Sequence, residues 1–172
     1  MSDSETIAPH FVRPDVKMFL DFLATTGGLA MSQMSPADAR QAYVMMGAVA
    51  ELPPRDLAVI KDLTCPGPAG DIPVRLYDSR ETREPGPAVV FFHGGGFVIG
   101  DLESHHALCS EIAAELDLPV IAVDYRLAPE HPFPAAPDDC EAASRWIAGS
   151  PAALGREITG LIPMGDSAGG NL

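Results

Sequence analysis

The chain has 172 residues, of which 47% are hydrophobic and 20% charged. That length suits one domain, and the balance excludes a disordered tail, a coiled coil and a collagen-like fibre. Lys and Arg number 11 against 24 Asp and Glu, a formal charge of −13, which repels phosphate backbones and anionic lipid surfaces and argues against nucleic-acid binding.

The start is acidic and polar, without a basic n-region or an apolar h-region, so no signal peptide is expected. A first helix is predicted from Pro14, with Val16, Phe19, Leu20 and Leu23 at helical spacing and a break at Gly27-Gly28. A second opens with Ser35 as N-cap, Pro36 at the first position and Asp38 placed as a capping-box acid. Ala39, Ala42, Tyr43, Met46 and Val49 form its apolar face, and Pro53-Pro54 ends it. The period then changes. Residues 57–64 and 72–77 read as strands joined by a Pro- and Gly-rich turn over 65–71. In the second strand Ile72, Val74 and Leu76 face one side and Arg75 the other. Residues 88–92 and 120–123 are wholly apolar, as strands buried on both faces are. Helices are predicted over 104–116, with Leu108, Ile112, Ala113 and Leu116 apolar, and over 137–148; a short strand follows at 161–164. Alternating strands and helices indicate an α/β fold with a mostly parallel sheet. Residues 1–50 read as a helical segment and 51–172 as the main domain.

Cys65, Cys109 and Cys140 are too few and too far apart for a disulfide framework or a metal site. They read as reduced thiols. No apolar run approaches a membrane-spanning length. A soluble cytoplasmic protein is expected.

Two motifs carry chemistry. Gly165-Asp166-Ser167-Ala168-Gly169 follows an apolar strand and should open a helix. A sharp strand-to-helix turn strains the serine backbone and lifts its hydroxyl off the sheet. Asp166 is expected to make structural hydrogen bonds. The second motif, His93-Gly94-Gly95-Gly96-Phe97, follows the strand at 88–92. Consecutive glycines let backbone N–H groups point at a developing oxyanion. A dinucleotide loop is excluded because Ile99 stands where glycine is required, and no phosphate-loop lysine follows.

These motifs, with 100–104 and the proline-stiffened stretch 124–136, resemble the hormone-sensitive-lipase-like branch of the α/β-hydrolases, the bacterial family IV esterases with a Gly-Asp-Ser-Ala-Gly-Gly elbow. The resemblance implies an α/β-hydrolase fold and hydrolysis of short-chain carboxylic esters. It makes Ser167 the nucleophile, Gly95, Gly96 and Ala168 the oxyanion-hole donors, and His93 and Gly94 supports of the loop. Residues 1–50 would be the first part of a cap, with Phe19, Phe22, Met31, Met34 and Phe97 as candidate pocket residues. Arg126 and Glu130 are expected to pair with each other or with nearby backbone. No metal or organic cofactor is implied, and the partner is a small ester.

In this fold the order is Ser, then Asp or Glu, then His. His10, His93, His105, His106 and His131 all precede Ser167, and none reads as its base. The triad acid and base are therefore expected beyond residue 172. The chain is expected to be an N-terminal part whose partner is its own C-terminal half, or a second copy. The alternatives are an inactive fragment that acts only by assembly, and amide or lactone hydrolysis through the same serine.

Overall fold

The computed structural model describes residues 11–25 and 30–172. The Gly27-Gly28 break and His10 lie outside the described residues. The chain divides into two compact units, Met1–Met34 and Ser35–Leu172.

In the first unit, α1 spans Pro14–Thr25 and a single 3-10 turn spans Met31–Gln33. The predicted stripe of α1 exists, but Val16, Phe19, Leu20 and Leu23 are all at least partly open to solvent, at 37–51% exposure.

The second unit opens with α2, Pro36–Ala50. The Ser35 hydroxyl oxygen accepts from the Asp38 N–H, so the predicted cap forms. The Asp38 carboxylate accepts from the Ser35 hydroxyl, where a capping box would turn it to the Ser35 N–H. Ala39 is buried and Val49 is exposed, so the apolar stripe ends a turn earlier than predicted.

Five strands follow: β1 Val59–Gly67, β2 Gly70–Asp78, β3 Gly86–Phe92, β4 Val120–Val123 and β5 Ile158–Gly165. Their order is β1-β2-β4-β3-β5, and β2 runs against the others. Between β3 and β4 lies α3, His106–Leu116, and between β4 and β5 lies α4, Ala135–Ala148. A last turn of helix, α5, spans Ala168–Asn171.

The turn predicted over 65–71 is much shorter. Cys65, Pro66 and Gly67 continue β1 and pair with β2, leaving Pro68 and Ala69 as the hairpin loop. The reason is position: β1 is an edge strand, where a proline without an N–H is tolerated.

The side-chain alternation of β3 and β4 divides the core. Val90, Phe92, Ile121 and Val123 join Cys140, Ala143 and Ile147 of α4 on one face. Val89, Phe91, Val120 and Ala122 join Cys109 and Ala113 of α3 on the other. Within α3 the inward stripe differs from the predicted one: Leu108 and Leu116 are exposed at 41% and 48%. Small Cys109 and Ala113 let the helix seat close to the sheet, which leaves the larger leucines at its flanks.

Among the described residues β5 pairs with β3 alone. Ile162 and Pro163 are exposed there, so that outer edge is apolar. No helix among the described residues is long and apolar enough to cross a membrane.

Candidate active site

Strands β3 and β5 are parallel neighbours in register, with Phe92 opposite Gly165. Their C-terminal ends therefore deliver both motifs to one edge of the sheet. Ligands bind at this edge in open α/β sheets.

Ser167 sits between β5 and α5 with φ 49° and ψ −114°. A positive φ on a residue with a Cβ is strained and marks a position held for a purpose. The Ser167 side chain is exposed, and no hydrogen bond holds its hydroxyl among the described residues. Gly169 lies against the backbone of Phe92, where any Cβ would overlap the Phe92 carbonyl oxygen. Glycine is required there because the elbow is pressed onto the end of β3.

In the other loop Gly95 has φ 121°, and a Cβ there would overlap the Ile99 carbonyl oxygen. The Gly95 carbonyl accepts from Val98 and Ile99 N–H, which curls the loop back on itself. Phe97 shares the strain, with φ 64°. The N–H groups of Gly95, Gly96 and Ala168 donate to no acceptor among the described residues. Unpaired backbone donors are rare in folded proteins.

Asp166 joins the two motifs. The Gly94 N–H donates to its Oδ1 at 2.7 Å, and the Gly169 N–H donates to its backbone carbonyl. The expected structural role of Asp166 thus has a concrete partner in the opposite loop. His105 Nε2 lies 3.2 Å from the same carboxylate oxygen.

His93 is buried beneath the loop, stacked on Tyr125 with ring centroids 4.3 Å apart. Its Nδ1 lies 2.8 Å from the Gly94 carbonyl, so Nδ1 carries the proton. Its Nε2 is without a partner among the described residues. Burial lowers its pKa to about 4, so the ring is neutral near pH 7. The Tyr125 hydroxyl donates to the His93 carbonyl at 2.6 Å.

Arg126 and Glu130 do not pair with each other. Arg126 forks onto the buried Asp139 of α4 through Nε and Nη2, both at 2.8 Å. Glu130 takes Arg40 of α2, which holds its carboxyl down at about 2. Arg40 also donates to the carbonyls of Val98 and Ala128, clasping the glycine loop to the segment after β4. Sequence reasoning missed Arg40, because nothing local marks a partner 58 residues away.

A cleft of about 520 Å³ lies beside the loop, lined by Gly96, Phe97, Ala128, His131, Phe133 and the start of α4 among others. Phe97 is thus a lining residue as expected. Phe19, Phe22, Met31 and Met34 belong to the first unit. No histidine among the described residues bonds to Ser167. No cluster of His, Cys, Asp and Glu among them could hold a metal ion.

Residues 89–172 match the family model described as the α/β hydrolase fold. The chain is 38% identical over 169 residues to the carboxylesterase NlhH of Mycobacterium tuberculosis, covering 97% of this chain and 51% of that one. It is 45% identical over 115 residues to the esterase LipI of the same organism, covering 66% of this chain and 36% of that one. Among solved structures, an ester hydrolase from the metagenome of Lake Arreo superposes with a TM-score of 0.86 at 36% identity, over 93% of this chain and 52% of that one. The chain has the fold of the α/β-hydrolase family. It is similar to esterases within that family, as the motifs implied, and it spans about half the length or less of those relatives.

Proposed function

We propose that the whole protein is a serine carboxylesterase acting on short-chain esters. Ser167 Oγ attacks the ester carbonyl carbon, and a base beyond residue 172 takes the hydroxyl proton. The carbonyl oxygen becomes an oxyanion held by the N–H groups of Gly95, Gly96 and Ala168. Collapse expels the alcohol, which takes that proton, and leaves an acyl group on Ser167. Water then attacks the acyl carbon and releases the acid. His93 and Gly94 support the loop, and the chemistry needs neither metal nor organic cofactor.

The observation that carries this reading is the pairing of a strained, exposed serine with backbone donors that have no acceptor among the described residues, at the ends of adjacent parallel strands. Esterase relatives and structural neighbours support it. A cytoplasmic location accords with three free, buried thiols. The lack of any histidine on Ser167 favours a second reading for this chain by itself, in which it acts only with the segment that carries the base.

Hydrolysis of p-nitrophenyl acetate and butyrate tests the proposal. Ser167→Ala should remove activity by on the order of 10⁶-fold. Retained hydrolysis in that variant contradicts it.

A further inference from the structure

The glycine loop has a geometric problem. Its donors work only if the backbone holds one shape, yet glycine restricts that shape least of all residues. Across Gly94, Gly95 and Gly96, one backbone N–H is anchored among the described residues, that of Gly94 on Asp166 Oδ1. The anchor is only as firm as the carboxylate, and the Asp166 side chain is 44% exposed. A carboxylate that open to water would swing between rotamers and trade Gly94 for solvent.

His105 prevents that. Its side chain is 6% exposed, and Nε2 reaches the same Asp166 oxygen that Gly94 uses. Its other ring nitrogen, Nδ1, is 3.0 Å from Ser104 Oγ. Ser104 is itself locked to Asp101: each residue's N–H donates to the other's side chain, at 2.9 and 2.7 Å. The rings of Tyr43, Phe91 and His93 pack around the imidazole at 5.4–6.1 Å between centroids. His105 stands at the N-cap position of α3 but makes no capping bond, so helix initiation does not account for its side chain. Packing alone would be served by a phenyl ring. Two opposed nitrogens, one on a fixed serine and one on a mobile carboxylate, require an imidazole.

We propose that His105 is a positioning residue for the oxyanion loop, acting through Asp166 on the Gly94 amide. This rests on the reading of that loop as the oxyanion hole. His105 touches no reacting atom; it fixes the carboxylate that fixes the loop.

Amide hydrogen exchange on the 172-residue chain tests the link without a reacting serine. In His105→Phe, which keeps a ring and loses both nitrogens, Gly94 exchange should rise on the order of 10- to 100-fold. In His105→Gln, which restores an N–H donor toward Asp166, it should return to within about 3-fold of the parent. Val90 and Ile121, in the middle of the sheet, should not change in either variant. Unchanged Gly94 exchange in His105→Phe overturns the proposal. So does a rise shared equally by Val90 and Ile121, or a failure of glutamine to rescue, because a merely structural histidine behaves that way. Failure of Ser167 to react with a fluorophosphonate in the whole protein, base included, would instead count against the hydrolase reading, and leaves the exchange result to judge the link separately.

Discussion

At the end of the sheet where β2 stops, the Asp78 carboxylate is fully buried and both its oxygens are paired. Arg83 donates to one oxygen at 2.7 Å, Arg156 to the other at 2.5 Å, and the Arg80 N–H adds a third bond. Arg83 reaches on to Asp117, and Arg156 to the Arg80 carbonyl. At the opposite end, where β3 and β5 stop, the backbone is strained at Ser167 and Phe97, and among the described residues three N–H groups lack acceptors and His93 Nε2 has no partner. One sheet thus carries a satisfied end and an unsatisfied end. Folding stability accounts for the first. The second retains unmet hydrogen-bonding capacity, which is what a site for transition-state charge needs.

The contrast can be broken from either side. The largest effect is expected at the satisfied end. Asp78→Ala leaves two largely buried guanidinium groups short of a partner and should cost about 3–5 kcal/mol in urea unfolding. The reaction of Ser167 with a fluorophosphonate should not change under conditions where the variant stays folded. At the unsatisfied end, Gly169→Ala forces a Cβ onto the Phe92 carbonyl. It should cost about 1–3 kcal/mol and, unlike Asp78→Ala, slow labelling of Ser167 in the folded protein. Equal labelling in both variants would erase the distinction.

Two titrating groups near the site, the half-buried Asp124 and the buried His93, sharpen it further. Burial, with Asp101 nearby, raises Asp124 to about 6. The fold binds that proton more tightly than the unfolded chain does, so its contribution is present at low pH and is lost as pH rises through about 6. Asp124→Asn should therefore stabilise by about 1–2 kcal/mol at pH 7.5, after allowance for the open cleft, and little at pH 4. His93 has the opposite sign. Its contribution is present above its ordinary value of 6.5 and is lost as pH falls toward about 4. With Asp124 removed, acid should destabilise the fold more steeply, measured as urea midpoints across pH 4–7.5. The smallest effect belongs to neither end: Ser35→Ala removes the α2 cap and should cost about 1 kcal/mol.

The sheet and its helices were legible because buried strands of an α/β fold are short apolar runs, as at Ala88–Phe92 within β3 and at β4. The elbow was legible because its strain is written as glycine on both sides of Ser167. What escaped were interactions between distant residues. Arg40 reads as one more charge on a helix, yet it bridges two loops. Glu130 is close in sequence to Arg126, but Asp139 on the next helix offers the better fork. His105 and Asp166 lie far apart in the chain and meet only because β3 and β5 are neighbours. Periodicity shows which face is buried; it does not show which polar partners meet there.

The most direct test treats the whole protein with a fluorophosphonate, follows ester hydrolysis and maps the adduct by peptide mass. A single adduct on the peptide containing Ser167, formed in step with loss of hydrolysis, is the predicted result. Loss of hydrolysis with the adduct elsewhere, or hydrolysis that continues after Ser167 is fully modified, would contradict the assignment of the unsatisfied end as the site of catalysis.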